Sequence, residues 1–293
     1  MGDFMGELTA IGAVFCWSWT AMFFTIASRH FGSWAVNLYR LALGALFLFL
    51  THLVVSGDFA IGVYPALMLS LSGIAGLFLG DLLLFQSFVW MGPRLTMLVY
   101  TVAPAMTAVL AWVFLGETIG GMGLAGMVVT VAGVGWTLRE KREDGERRFH
   151  LPSVLFTLLA ALGQSAGLIL AKAALNTGMS SLYATLWRMI AALATAAVFA
   201  ALFRFARPRP HGGWTGSAAL ALLGGAVFGP FLGVWLSQVA IQHTATGIAS
   251  TILATTPIFL IPVAALIERE RPTWRAVLGA VVAVAGVAML FLR

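Results

Sequence analysis

Apolar residues do not alternate with polar ones along this chain. They run on, unbroken, for about 20 residues at a time, and nearly all of the charge falls in the short segments between the runs. Runs long enough to cross roughly 30 Å of hydrocarbon occur at 8–27, 34–55, 66–91, 95–115 and 122–138, then at 154–175, 182–203, 218–240, 247–267 and 276–292. Barrel strands alternate over about 10 residues, so continuous runs of twice that length predict helices. The expected fold class is all-α, a polytopic membrane protein of ten transmembrane helices. The first run has no basic leader before it and no small-residue cleavage site after it, which predicts a permanent helix.

Composition agrees with the pattern: 60% of the 293 residues are hydrophobic and 10% charged, against about 25% charged in soluble domains. Ten spans leave only loops and ends, so no sizeable soluble domain is expected. Cys16, the single cysteine, lies in the first span. That excludes an internal disulfide and a multi-cysteine metal site, and no cofactor or metal is expected.

The formal net charge of +6 reads as a topology signal once the charges are placed. Thirteen of the seventeen Lys and Arg residues follow odd-numbered spans, eight of them in the segments 139–148 and 204–209. The positive-inside rule puts those loops in the cytoplasm and both termini on the opposite side of the membrane. No aromatic-interleaved basic surface accompanies the charges, so nucleic acid is not an expected partner. The expected partners are the lipid bilayer and a small-molecule substrate.

The polar stretch 139–150 divides the chain into halves that resemble each other. A shift of 153 positions superposes 66–139 on 219–292 without a gap. Gly76 meets Gly229, Gly80 meets Gly233, Pro104 meets Pro257, Glu117 meets Glu270, and Val131-Ala132-Gly133-Val134 meets Val284-Ala285-Gly286-Val287. A slightly shorter shift brings Tyr39-Arg40-Leu41 onto Trp187-Arg188-Met189. The expected organisation is a first five-helix repeat at 1–138, a cytoplasmic linker at 139–150 and a second repeat at 151–293. Five is odd, so the second copy enters the membrane from the other side, and inverted repeats of this kind build a midplane site that opens to each face in turn. Two complete halves in one chain allow a monomer to form the pathway, and a homo-oligomer remains compatible with it.

The paired glycines have the small-xxx-small spacing that lets helices approach closely in lipid. Pro104 and Pro257 each remove a backbone donor in mid-span and are the candidate hinges of the fourth and ninth spans, with plain packing as the alternative. The stretch from Pro104 through Leu110-Ala111-Trp112-Val113-Phe114-Leu115-Gly116-Glu117 to Ala132-Gly133-Val134, with its second copy from Pro257 to Gly286-Val287, resembles the EamA family of the drug/metabolite transporter superfamily. The second copy departs by having Ile267-Glu268-Arg269-Glu270 where the first has Leu115-Gly116-Glu117. The resemblance implies a ten-helix secondary transporter of the bacterial inner membrane with a central cavity between its halves. Size and aromatic content also resemble the YddG-type exporters of aromatic amino acids within that family.

Ionisable residues inside spans are costly, and each is therefore a functional candidate. Arg40 and Arg188 lie deep in the second and seventh spans. Each can fork onto a substrate carboxylate or tie helix backbones together. Asp81 has no acidic mate, because Val234 holds the matching position. It either meets a substrate ammonium or proton, or satisfies a neighbouring arginine. The remaining candidates for the cavity lining are Trp17, Trp19, Tyr39, Phe85, Tyr100, Gln164, Ser165, Trp187, Trp235 and Gln238, each with ordinary packing as the alternative. A mostly aromatic, neutral lining fits a small zwitterion with an apolar side chain, so neutral or aromatic amino acids are the expected substrates; the family resemblance implies their export, and the inverted repeat implies alternating access. Other expected cargoes of the same superfamily are drugs, nucleosides and sugars.

An intramembrane hydrolase fits poorly. Gly163-Gln164-Ser165-Ala166 lacks the last glycine of the rhomboid motif, and His243 lies far along its span from the depth of Ser165. The Leu79-Gly80-Asp81 segment lacks the earlier glycine of the Gly-x-Gly-Asp proteases, and no phosphate-cradling loop appears. Rings of charge or filter-like glycine sequences of the kind that select ions in channels are missing too.

Overall fold

The computed structural model describes residues 4–56, 59–115, 120–138, 150–203, 215–243, 252–268 and 273–291. Among these every regular element is helical. In chain order they are α1 (Met5–Phe31), α2 (Ser33–Val55), α3 (Val63–Met91), α4 (Pro93–Tyr100, then Ala103–Leu115), α5 (Gly121–Leu138), α6 (Leu151–Leu175) and α7 (Ser181–Leu202). They continue with α8 (Gly216–Ala226, carried on through Val227–Gly233 and Val234–His243), α9 (Thr256–Glu268) and α10 (Trp274–Phe291). Seven helices among the described residues are long and apolar enough to cross a membrane, and three more apolar ones are shorter. The linker expected at 139–150 lies outside the described residues up to position 149, as do Glu117, Glu270 and the start of the ninth expected span at 247–251.

Local chemistry sets the helix boundaries. Single glycines, Gly32 and Gly92, both at φ 81°, separate α1 from α2 and α3 from α4. A side chain would strain that backbone, and Pro93 then starts α4 where a missing N–H is harmless. Ser180 and Thr215 cap α7 and α8 by accepting the amides of Tyr183 and Ala218.

Burial is inverted relative to a soluble protein. Ser72, Thr130, Ser153, Thr157 and Thr185 are fully buried, while Val54, Val63, Phe114, Val128, Leu220 and Leu266 are at least 70% exposed. Small and polar residues face the bundle and large apolar ones face outward, the distribution lipid demands.

Packing exchanges the two halves. Helix α6 lies along α3 and α4, and α1 lies correspondingly along α8 and α9, while α2 meets α7 and α5 meets α10. Individual contacts repeat the exchange. The Ser165 hydroxyl donates to the Ala103 carbonyl at 2.9 Å, and Ser18, its counterpart, approaches the carbonyl of Thr256, the counterpart of Ala103, at 3.5 Å. At the α5–α10 seam a Cβ on Gly133 would meet the Ala283 amide at 2.7 Å and the Gly279 carbonyl at 2.9 Å. Its mate Gly286 faces Thr130 and Gly126 in the same way, and Thr130 donates to the Ala283 carbonyl at 3.3 Å.

Two breaks in regularity also come in matched pairs. Gly73–Gly80 in α3 and Val227–Gly233 in α8 are π-helical, a feature the periodicity of the sequence does not announce. The fourth span, expected to be one helix kinked at Pro104, is two helices broken one turn earlier. Thr101 and Val102 bond back to Leu98 and Val99 in tightened turns. The proline ring disfavours helical geometry in the residue before it, so the interruption precedes Pro104, which sits harmlessly near the start of the second segment. Before Pro257 the chain does the same: the Thr255 amide bonds to Ile252, and Ile258 to Thr255.

Candidate functional site

A π-helical stretch has wider turns, which leave carbonyls open to side chains from neighbouring helices. Three successive carbonyls of α3 are used in this way. Gly76 accepts from Gln164 Nε2 at 3.3 Å, Leu77 from the Arg40 guanidinium at 2.5 Å and Phe78 from Asn37 Nδ2 at 2.9 Å. Asp81 follows directly. Its Oδ2 pairs with Arg40 at 2.6 Å and its Oδ1 accepts from Gln164 Nε2 at 2.7 Å. Asn37 Oδ1 accepts from Arg40 Nε at 3.0 Å, and the Arg40 guanidinium lies 4.9 Å from the centre of the Phe85 ring. Arg40 is 3% exposed and Asp81 7%. A buried pair with this many supporting bonds recovers much of its desolvation cost, and removing one partner would not.

Arg188, the mate of Arg40, belongs to the same cluster without sharing its bonds. It is 4% exposed, and the backbone of α7 at this point presses on Gly73. A methyl on Gly76 would lie 3.0 Å from Gln164 Oε1 and 3.7 Å from an Arg188 terminal nitrogen. Asp81 is within electrostatic range. Even so, Arg188 Nε is sealed from water and without a hydrogen bond among the described residues. The cluster thus draws Asn37, Arg40 and Asp81 from the first half and Gln164 and Arg188 from the second.

The other residues expected at the site divide into groups. Tyr39 and Tyr100 pack half-buried with Phe85 and Phe24 against one apolar core, on the flank of the polar cluster nearest α1 and α4. Trp17 lies against Gly233 on the α1–α8 seam, and Trp19 packs beside Phe15 and Phe23 of its own helix. Trp187 donates to Ser70 Oγ at 3.1 Å and to the Ala66 carbonyl at 3.2 Å, and Trp235 packs beside Phe231. Both tryptophans edge the core between α2 and α7. Gln238 is buried, its Oε1 without a partner among the described residues. The Ser165 hydroxyl donates to the Ala161 and Ala103 carbonyls, which ties it to the backbone and leaves it unlike an activated nucleophile. An apolar groove between Ala132, Trp136, Leu278 and Val282 lies on the outer face of α5 and α10, away from the charges.

Sequence reasoning missed Asn37. The available signal was an amide three residues before a buried arginine, the spacing at which helix side chains meet.

Outward-facing apolar helices around a buried, charged cluster drawn from both halves define a multi-pass membrane protein, and the cluster is its candidate site. The sequence profile of the EamA-like transporter family matches residues 4–139 and 151–292, once per half, and the chain belongs to that family. It is accordingly a membrane transporter of the drug/metabolite superfamily. No curated protein matches it. One solved crystal structure is similar over 97% of this chain and 95% of its own, with a TM-score of 0.69 and 18% identity, a likeness of fold.

Proposed function

We propose that this protein is a secondary transporter of ten transmembrane helices arranged as two inverted five-helix halves. It exports small metabolites, neutral or aromatic amino acids foremost, across the inner membrane by alternating access, with both termini periplasmic. The observation that carries the reading is the deep polar cluster to which both halves contribute, Arg40 and Asp81 from one and Gln164 and Arg188 from the other. Sliding one half against the other must reshape it. The exchange-related contacts of α1 with α8 and of α6 with α3 are the kind of pairing that lets inverted copies swap conformations, and they support alternating access. Tyr39, Phe85 and Tyr100 provide an aromatic flank suited to an apolar side chain.

The test is counterflow in liposomes containing the purified protein. Labelled phenylalanine should accumulate transiently against excess unlabelled phenylalanine inside, saturating with concentration. Linear ion conductance would indicate a channel. Exchange confined to nucleosides, sugars or drugs would move the assignment to another cargo of the superfamily.

A further inference from the structure

The two deep arginines occupy matching places in the repeat and have unlike surroundings. Arg40 is held through two of its nitrogens: Nε and a terminal nitrogen on Asn37, and that terminal nitrogen also on Leu77 and Asp81. The second half lacks the equivalent partners, because Thr185 stands at the place of Asn37, Pro230 at that of Leu77 and Val234 at that of Asp81. Arg188 instead reaches Gly76 of the first half, alongside Gln164. There both oxygens of Asp81 are already held, by Arg40 and by Gln164. The result is a 4% exposed guanidinium whose Nε has no hydrogen bond among the described residues, beside a neutral, hydrogen-bonded ion pair. Among the described residues the cluster holds two arginines against one aspartate, one positive charge in excess deep in the bundle.

Such a charge is expensive to hold in a low-dielectric interior and is stabilised best by an anion with two oxygens in one plane, which matches the guanidinium fork. We infer that Arg188 is the seat of the substrate carboxylate, whereas Arg40 is a structural strut that keeps Asp81 occupied. This rests on the transporter reading and narrows its substrate class to monocarboxylates, amino acids included. Recognition of a substrate ammonium through Asp81 is correspondingly weak, so the carboxylate carries selectivity. Gly76 matters to this assignment because any side chain there would fill the space in which Arg188 and Gln164 converge.

The experiment compares wild type, Arg188→Gln and Arg40→Gln as full-length proteins. Phenylalanine counterflow in the wild type should be inhibited by 3-phenylpropionate, which has the carboxylate alone, and far less by phenethylamine, which has the ammonium alone. Arg188→Gln should raise the KM for phenylalanine about 10- to 100-fold, the worth of a charged hydrogen-bonded contact, and abolish the preference for the acid. In detergent it should melt no lower than wild type, whereas Arg40→Gln should melt lower. In the same melting assay, 3-phenylpropionate should stabilise wild type and not Arg188→Gln, and its amide should stabilise neither. Absence of phenylalanine counterflow with carboxylate stabilisation intact would overturn the amino-acid reading alone. Equal stabilisation by acid and amide, or an unchanged acid preference in Arg188→Gln, would overturn the role given to Arg188, whatever the transport result.

Discussion

Asp81 stands between two arginines, and that position makes its neighbours unequal when one is removed. If Arg40 becomes glutamine, Asp81 keeps its bond to Gln164 and still has Arg188 within electrostatic range. If Asp81 becomes asparagine, both guanidiniums are left buried and uncompensated. Breaking a buried pair by deleting one partner costs about 3–5 kcal/mol, so both variants should be destabilised, Asp81→Asn the more. Thermal melting of the two proteins in one detergent checks the order, and a more stable Asp81→Asn would contradict the network described. From the chain alone, Arg40, Arg188, Asp81 and Gln164 were legible as costly residues in apolar runs. Their pairing was not, because whether Asp81 meets Arg40 or a ligand depends on the rotation of α3 relative to α2. A π-helical stretch sets that rotation, and hydropathy does not encode it. The same uncertainty hid the bonds of Trp187, whose indole donates to Ser70 and Ala66.

The helices themselves were readable for a simple reason: lipid requires long uninterrupted apolar runs, so the presence of α1 to α3 and α6 to α8 follows from length and composition. Departures from regular helix were harder to see. Proline announces a break without saying which turn yields, and Gly73–Gly80 reads as ordinary packing glycine until three of its carbonyls are found bonded to other helices. Close packing at the α5–α10 seam can be tested at the level of one residue. A Cβ on Gly133 would collide with the backbone of Ala283 and Gly279, whereas one on Gly135 would meet nothing within 4 Å. Helix propensity favours alanine equally at both sites, so any difference between the variants reports the seam. Overpacking of this sort costs typically about 1–3 kcal/mol. Gly133→Ala should therefore melt lower than wild type and Gly135→Ala should not, and equal melting would mean that the seam is looser than drawn.

At the scale of the whole molecule, the exchange of contacts between halves is compatible with two arrangements of the copies in the membrane, parallel or inverted, and they place the loops differently. With five spans per half, inversion follows if the chain crosses the bilayer at every span, and the charge distribution then puts position 29, near the end of α1, in the cytoplasm and position 172, at the matching place near the end of α6, in the periplasm. Copies inserted the same way would put both on one face. Cys16 is buried, so replacing it by serine gives a background in which single cysteines at Arg29 and Lys172 can be labelled in intact spheroplasts with a membrane-impermeant maleimide. Lys172→Cys should react at once and Arg29→Cys only after permeabilisation. Labelling of both positions from outside, or of neither, would remove the inverted architecture. The rearrangement of Gln164 and Arg188 against Asp81 would then need another cause, because two copies inserted the same way have no symmetry that exchanges an inward-open state for an outward-open one.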